Sequence, residues 1–84
     1  MTTKRAIAEK YTASMSIKNT RGVPLTLHLE PWGDQIELPP EVALVVVAKA
    51  SSEGAFEVSL ADDRITIWGW TGSTLSVYKN GIEQ

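Results

Sequence analysis

The sequence predicts an all-β protein, a small antiparallel β-sandwich or flattened barrel of six to seven strands. Apolar and polar residues alternate with a period of two through most of the chain after residue 10, as they do in half-buried strands. Turn-forming residues interrupt this alternation at the short intervals expected of such folds. Helical periodicity is weak throughout. We therefore expect residues 1–10 to form an N-terminal arm, flexible or a short helix, and residues 11–84 to form a single β domain.

Size and composition limit the classes of protein. The chain has 84 residues and no cysteine, which excludes disulfides and thiolate metal sites. The basic N-terminal residues are not followed by the apolar run of a signal peptide, and residues 42–48 are too short to span a membrane. These features predict a cytoplasmic protein.

The charge is unevenly distributed along the chain. Residues 1–29 carry five basic residues and one acidic residue, a net charge of +4, whereas residues 30–84 carry three basic and nine acidic residues, a net charge of −6. A nucleic-acid-binding domain usually concentrates its basic residues on an overall basic surface. We therefore expect no nucleic-acid partner, and the alternation of acidic with apolar residues predicts solvated strand faces.

Two hairpins are predicted in the first half of the chain. The loop Thr20-Arg21-Gly22 has a common hairpin form and would join residues 12–19 to residues 23–30. A second turn at Glu30-Pro31-Trp32-Gly33, with a four-residue loop over residues 31–34, would return the chain into a third strand, which Pro39-Pro40 ends. The expected pairs are Ile17–Leu25, Met15–Leu27 and Ala13–Leu29 in the first hairpin, and Leu29–Ile36, Leu27–Leu38 and His28–Glu37 in the second.

The segment of residues 42–48 is apolar on both faces, so we expect it to be central or covered. The last three main strands are predicted to form a meander, with turns at Asp62-Asp63 and Gly72-Ser73. The expected pairs are Leu60–Ile65, Val58–Ile67, Phe56–Gly69, Trp70–Leu75 and Trp68–Val77. Asn80-Gly81 is a strong hairpin signal, but only a stub follows it.

This register creates a second apolar face, made by Trp68, Trp70, Leu75 and Val77 on the side of the sheet opposite Phe56, Val58 and Ile67. A large uncovered apolar patch is unusual on a soluble monomer, so something should cover it. The residues leave three possibilities open: core packing under another strand, a subunit interface, or a platform for a small ligand. Trp32, at a turn corner, is expected to fold over a neighbouring strand.

Catalytic and metal chemistry have weak support in the sequence. His28 is the only histidine, and its expected cross-strand pairing with Glu37 is structural. A hydrolase would need Glu30, Asp34 or Glu37 to meet His28 in a cleft, for which the chain has little material. The Asp62-Asp63 pair is explained by its turn. We expect no catalytic residue, no cofactor and no metal.

The segment Leu27-His28-Leu29-Glu30-Pro31-Trp32-Gly33, followed by Pro39-Pro40 and a valine-rich strand, resembles short bacterial all-β proteins with a Leu-Glu-Pro-Trp-Gly turn. The resemblance covers about residues 17–48. It implies a small β-sandwich and a bacterial source, and no functional residue carries over because that group has no established activity. The strand succession is also similar to cupredoxin-like and immunoglobulin-like sandwiches, but the cysteine and second histidine of a copper site are absent.

The sequence therefore favours a non-catalytic interaction module, self-associating as a homodimer or other homo-oligomer through the tryptophan face. The alternative is a module that binds a small ligand such as a carbohydrate at Trp68, Trp70 or Trp32. A carboxylate-dependent hydrolase is the third hypothesis.

Overall fold

The computed structural model describes residues 10–84 and contains eight β-strands in this part of the chain. Their bounds are β1 Tyr11–Lys18, β2 Leu25–Glu30, β3 Asp34–Leu38, β4 Ala43–Ala50, β5 Glu57–Leu60, β6 Arg64–Trp68, β7 Ser73–Lys79 and β8 Ile82–Glu83. No helix occurs between residues 10 and 84, so the all-β prediction is confirmed. The strand number exceeds the six to seven expected. The expected helical turn or flexible arm falls almost wholly on residues 1–9, outside the described residues.

The strands form two four-stranded sheets. Sheet A has the order β1-β4-β7-β8 and sheet B the order β3-β2-β6-β5. Over residues 10–84 the edge strands of one sheet do not pair with the other sheet, so neither sheet closes into a barrel. The pairs are antiparallel, as expected, with the exception of β2 and β6, which are parallel. This exception arises because the chain leaves sheet B after β3 and returns to it only at β5.

The core lies between the inner faces of the two sheets. Alternation along β2 places Leu25, Leu27 and Leu29 on one face, and all three are buried. Sheet A contributes the same pattern from β4. Both sheets share one buried cluster, which comprises Leu25, Leu27, Leu29, Leu38, Leu44, Val46, Ile67 and Val77.

Several local predictions are confirmed. Residues 42–48 supply most of β4, which lies between β1 and β7 and is therefore central. The hairpin of β5 and β6 has the predicted pairs, Val58 with Ile67 and Leu60 with Ile65. β3 ends at Leu38, immediately before the two prolines. Gly81 has φ 81° in the turn that joins β7 to the short β8, and glycine adopts this conformation without a steric penalty.

The predicted hairpin between the first two strands is wrong. β1 pairs with β4 in sheet A, whereas β2 belongs to sheet B. The reason is the buried side chain of Asn19, whose Nδ2 donates to the carbonyl oxygens of Val23 at 2.8 Å and Leu38 at 3.0 Å. Its Oδ1 accepts from the backbone N of Arg21 at 2.9 Å. These three hydrogen bonds hold the connection in a conformation that crosses from sheet A to sheet B. A hairpin would have kept both strands in the same sheet.

The hairpin of β2 and β3 forms, but its predicted register is wrong by two residues. Leu27 lies opposite Ile36 and Leu25 opposite Leu38, so the inner face is unchanged. His28 is opposite Gln35, and the predicted His28–Glu37 cross-strand pair does not occur. A shift of two residues preserves which side chains are buried, and hydrophobic alternation alone cannot detect it.

The predicted hairpin at Gly72-Ser73 is also wrong. β7 pairs with β4, so Val77 lies opposite Val46 and Leu75 opposite Ala48, and the pairs Trp68–Val77 and Trp70–Leu75 do not form. The buried Ser73 hydroxyl accepts from the backbone N of Trp70 at 2.9 Å and donates to the carbonyl oxygen of Trp70 at 2.6 Å. This turn carries the chain from sheet B into sheet A.

Candidate functional site

The four residues of the predicted tryptophan face do not share one surface. Val77 is buried in the core, and Leu75 packs against that core from sheet A. Trp68 is 41% exposed on the outer face of sheet B, opposite to the side of Ile67, as the alternation along β6 predicts. Trp70 follows the end of β6 and is half-buried. The predicted continuous face is therefore split by the crossing into sheet A.

Trp70 is held in place by three contacts. A Cβ atom at Gly54 would overlap the indole ring, so the ring lies directly against the Gly54 backbone. Phe56 meets the ring edge-on, with centroids 6.0 Å apart and planes at 82°. The indole Nε1 donates to the carbonyl oxygen of Ser52 at 2.9 Å. Trp70 thus anchors the connection between β4 and β5, a role suited to a residue with an apolar body and one polar atom.

Trp32 folds over Gly69, in agreement with the expectation that it covers a neighbouring strand. A Cβ at Gly69 would lie 3.1 Å from Cη2 of Trp32 and 2.6 Å from Oγ of Ser73. The absence of a side chain at residue 69 therefore permits the close approach of Trp32. The predicted pair Phe56–Gly69 does not form, because the ladder of β5 and β6 ends at Glu57 and Trp68.

The three tryptophans line one open cavity of about 340 Å³. Trp32 is 45% exposed, so it and Trp68 both present ring surface to solvent. The remaining lining is small or turn-forming: Pro31, Gly69, Thr71, Gly72 and Ser73. We call this the tryptophan cavity. Its volume is at the lower end of the range of small-molecule sites.

Two carboxylates flank Trp68 on the outer face of sheet B. The register places Glu30 of β2 opposite Trp68 on one side and Glu57 of β5 opposite it on the other. In the antiparallel pair of β5 and β6, the Cβ atoms of directly opposed residues such as Glu57 and Trp68 are about 4.5–5.5 Å apart. Trp68 therefore lies between two acidic side chains. It is the member of this row that lines the tryptophan cavity, and the two glutamates are its cross-strand neighbours.

The other predicted candidates do not assemble into a site. His28 and Glu37 share the outer face of sheet B but are not opposed. Asp34 lines a different open cavity of about 400 Å³, together with Glu83. Among residues 10–84 no group of three or more acidic or histidine side chains is placed to hold a metal ion.

A second surface feature was missed by the sequence reasoning. Val58 and Leu60 belong to the inner face of sheet B, yet they are 45% and 77% exposed. Residues of both β3 and β8 line one open cavity, so these two strands lie on the same side of the molecule. A hydrogen bond from Arg21 to the carbonyl oxygen of Asp62 brings the ends of β1 and β5 together on the other side. We call the side that carries β1, β5 and the exposed Val58 and Leu60 the β1/β5 side.

The sequence contains one indication of this surface. The segment that forms β5 has only four residues and alternates polar with apolar side chains. Its exposure could not be inferred there, because it depends on how far sheet A extends over sheet B.

Over residues 10–84, the fold and these surfaces describe a small all-β protein with two unclosed sheets, an aromatic cavity and exposed apolar side chains on the β1/β5 side. Comparisons with protein-family models, with curated proteins and with solved structures find no match to this chain. The described part of the chain has no apolar helix of membrane-spanning length.

Proposed function

We propose that this protein is a non-catalytic β-sandwich interaction module that self-associates as a homodimer through its β1/β5 side. The observation that carries the proposal is the exposure of Leu60, which is 77% accessible although its side chain belongs to the core-facing side of sheet B. Strand edges with apolar side chains favour pairing with another chain. This surface replaces the tryptophan face predicted from the sequence.

The directions of the two strands favour a two-fold arrangement. Tyr11, at the start of β1, shares a small cavity with Gly54, which precedes β5, and Arg21, beyond the end of β1, contacts Asp62, beyond the end of β5. The two strands therefore run in the same direction. A two-fold axis perpendicular to this side places β1 of each copy antiparallel to β5 of the other, and both sheets continue across the interface.

Charge supports this pairing. In the register that places Met15 opposite Val58 of the second copy and Ala13 opposite Leu60, Lys10 lies beyond the last strand pair, beside the Asp62-Asp63 turn that follows β5. The same register puts Ser16 opposite Glu57, so no like charges are opposed. Opposite charges on paired strands stabilise a sheet, and like charges destabilise it.

The energy of this interface is modest. Complete burial of a valine or leucine side chain contributes about 1.5–3 kcal/mol, and Val58 is already half-buried. Association itself costs at least about 4 kcal/mol. Two copies of Val58 and Leu60 therefore exceed this cost by only a little, and strand hydrogen bonds must add to them. We expect a dissociation constant of about micromolar magnitude, which corresponds to a binding free energy of about 8 kcal/mol, so the strand hydrogen bonds across the interface supply most of it.

Substitution of Leu60 tests the surface directly. Leu60→Asp is expected to make the protein monomeric at concentrations where the unaltered protein is dimeric, because it places a charge in the apolar interface. The measurement is gel filtration with light scattering, confirmed by sedimentation velocity. Ile82→Asp is the matched control, since Ile82 is also apolar and 68% exposed but lies on β8, on the other side of the molecule.

A charge exchange tests the register. Lys10→Glu and Asp63→Lys are each expected to weaken the dimer, and the double variant is expected to restore it. A monomeric wild-type protein up to high micromolar concentration would contradict the proposal, as would an equal effect of Leu60→Asp and Ile82→Asp. Weakening without restoration in the double variant would reject this register and its charge pair.

A second candidate function is small-ligand binding, which the tryptophan cavity favours. Trp32 and Trp68 offer exposed rings on which a flat or apolar ligand such as a sugar could stack. Titration with mono- and disaccharides, followed by tryptophan fluorescence, tests this function. Saturable changes that disappear in Trp32→Ala support it, and flat titrations beside a stable dimer reject it.

A further inference from the structure

We infer that the tryptophan cavity binds an alkylammonium cation, the chemical group of a quaternary amine or a lysine side chain. This inference rests on the second candidate function and specifies its ligand. The observation is the row Glu30–Trp68–Glu57 on the outer face of sheet B, in which an exposed indole lies between two carboxylates.

The aromatic part of the site suits a cation. The face of an indole ring carries negative electrostatic potential, and tryptophan is the strongest of the aromatic residues in attracting cations. Trp68 and Trp32 both line the cavity and both keep more than two fifths of their surface accessible. A cation with methyl or methylene groups gains ring contact and electrostatic attraction at the same time.

The charged part of the site selects the sign of the ligand. Glu30 and Glu57 are the direct cross-strand neighbours of Trp68, and no basic residue occupies a position opposed to it. Among residues 10–84, the salt bridge found lies elsewhere, between Lys18 and Glu41. His28 lies two residues before Glu30 along β2, so it is further from the indole ring of Trp68 than Glu30 is. The two carboxylates therefore attract a cation and repel an anion.

The acidic pair also separates this inference from sugar binding. A neutral sugar stacked on Trp68 gains its energy from ring contact, so removal of either carboxylate charge leaves the stacking unchanged. A cation loses Coulomb attraction with each charge removed, and this attraction weakens with added salt.

The experiment uses choline chloride as the probe and 3,3-dimethyl-1-butanol as its neutral isostere. Binding is followed by tryptophan fluorescence and by the chemical shifts of the three indole NH groups, with sodium chloride held constant. We expect choline to bind, and we expect the affinity of the neutral isostere to be lower by a factor of about five or more. Glu30→Gln and Glu57→Gln are each expected to weaken choline binding about three-fold.

Glu37→Gln is the matched control, because Glu37 is exposed on the same outer face but lies opposite Thr26, away from Trp68. It is expected to leave choline binding unchanged. Trp68→Ala is expected to abolish choline binding. If Trp68→Ala does not fold, Glu30→Gln and Glu57→Gln still test the inference. Equal affinity for choline and its isostere overturns the inference, as does equal weakening in all three glutamine variants.

Two further outcomes are informative. Saturable binding of cellobiose without binding of choline overturns the cation assignment and supports the carbohydrate alternative. Leu60→Asp is expected to retain choline binding as a monomer, so that loss of the dimer and loss of the ligand site are separate results.

Discussion

Replacement of Asn19 by Asp is expected to lower the free energy of unfolding by about 3–5 kcal/mol. The side chain is 1% exposed, and its amide nitrogen is the donor to the carbonyl oxygens of Val23 and Leu38. In Asp an oxygen takes the place of that nitrogen, so two carbonyl groups lose their donor and face an acceptor. A buried polar group without a partner costs about 1–3 kcal/mol. The substitution hardly changes side-chain volume, so packing does not confuse the result.

The measurement is urea-induced unfolding, followed by circular dichroism. Asn80→Asp is the matched control, because Asn80 is exposed in the turn before Gly81 at φ 53°, a conformation that Asp also tolerates. The control is expected to change stability by less than about 0.5 kcal/mol. Similar midpoints for the two variants would show that the bonds of Asn19 do not hold the crossing from β1 to β2.

Introduction of a methyl group at Gly54 is expected to lower stability by about 2–3 kcal/mol, because overpacked sites force neighbours to move. The neighbour here is the indole ring of Trp70, whose inner carbon atoms the new Cβ would overlap. The ring cannot move without disturbing its hydrogen bond to Ser52 and its contact with Phe56. Gly54→Ala should therefore also shift the indole NH resonance of Trp70.

Gly22→Ala is the control for this variant. A Cβ atom at Gly22 would meet nothing within 4 Å, and the φ of this residue is not in the left-handed region. The substitution is expected to be neutral or slightly stabilising, since alanine restricts the unfolded chain. If Gly54→Ala unfolds at the same urea concentration as Gly22→Ala and leaves the Trp70 resonance in place, the contact between Gly54 and Trp70 is not a packing constraint.

Much of the local structure could be predicted because its causes are local. The period-two alternation identifies β2 and its inner leucines, and the Asp62-Asp63 turn fixes the register of β5 and β6. The same alternation places Trp68 on the outer face of sheet B. Pro39-Pro40 ends β3 because proline has no N–H for the ladder.

The candidate sites could be predicted only in part. The sequence singled out the tryptophans, but it joined Trp68 and Trp70 to Leu75 and Val77, which lie on the core side of sheet A. Trp32 reaches the cavity because Gly69 leaves room for it, a contact between distant parts of the chain. The acidic neighbours of Trp68 depend on two pairings, one with β2 and one with β5.

The amino-acid sequence is sufficient to specify the all-β fold class, the side chains that face the core, and the residues at which most strands end. The sheet that each strand joins is specified only by the packed fold. The physical reason lies in the connections from β1 to β2 and from β6 to β7, two of the four at which the chain changes sheet between residues 10 and 84. Their turn residues permit either a hairpin or a change of sheet. Asn19 and Ser73, the buried polar side chains found in residues 10–84, hold the backbone at those two points. The long-range partner of Asn19, the carbonyl oxygen of Leu38, comes within reach only once both sheets have come together.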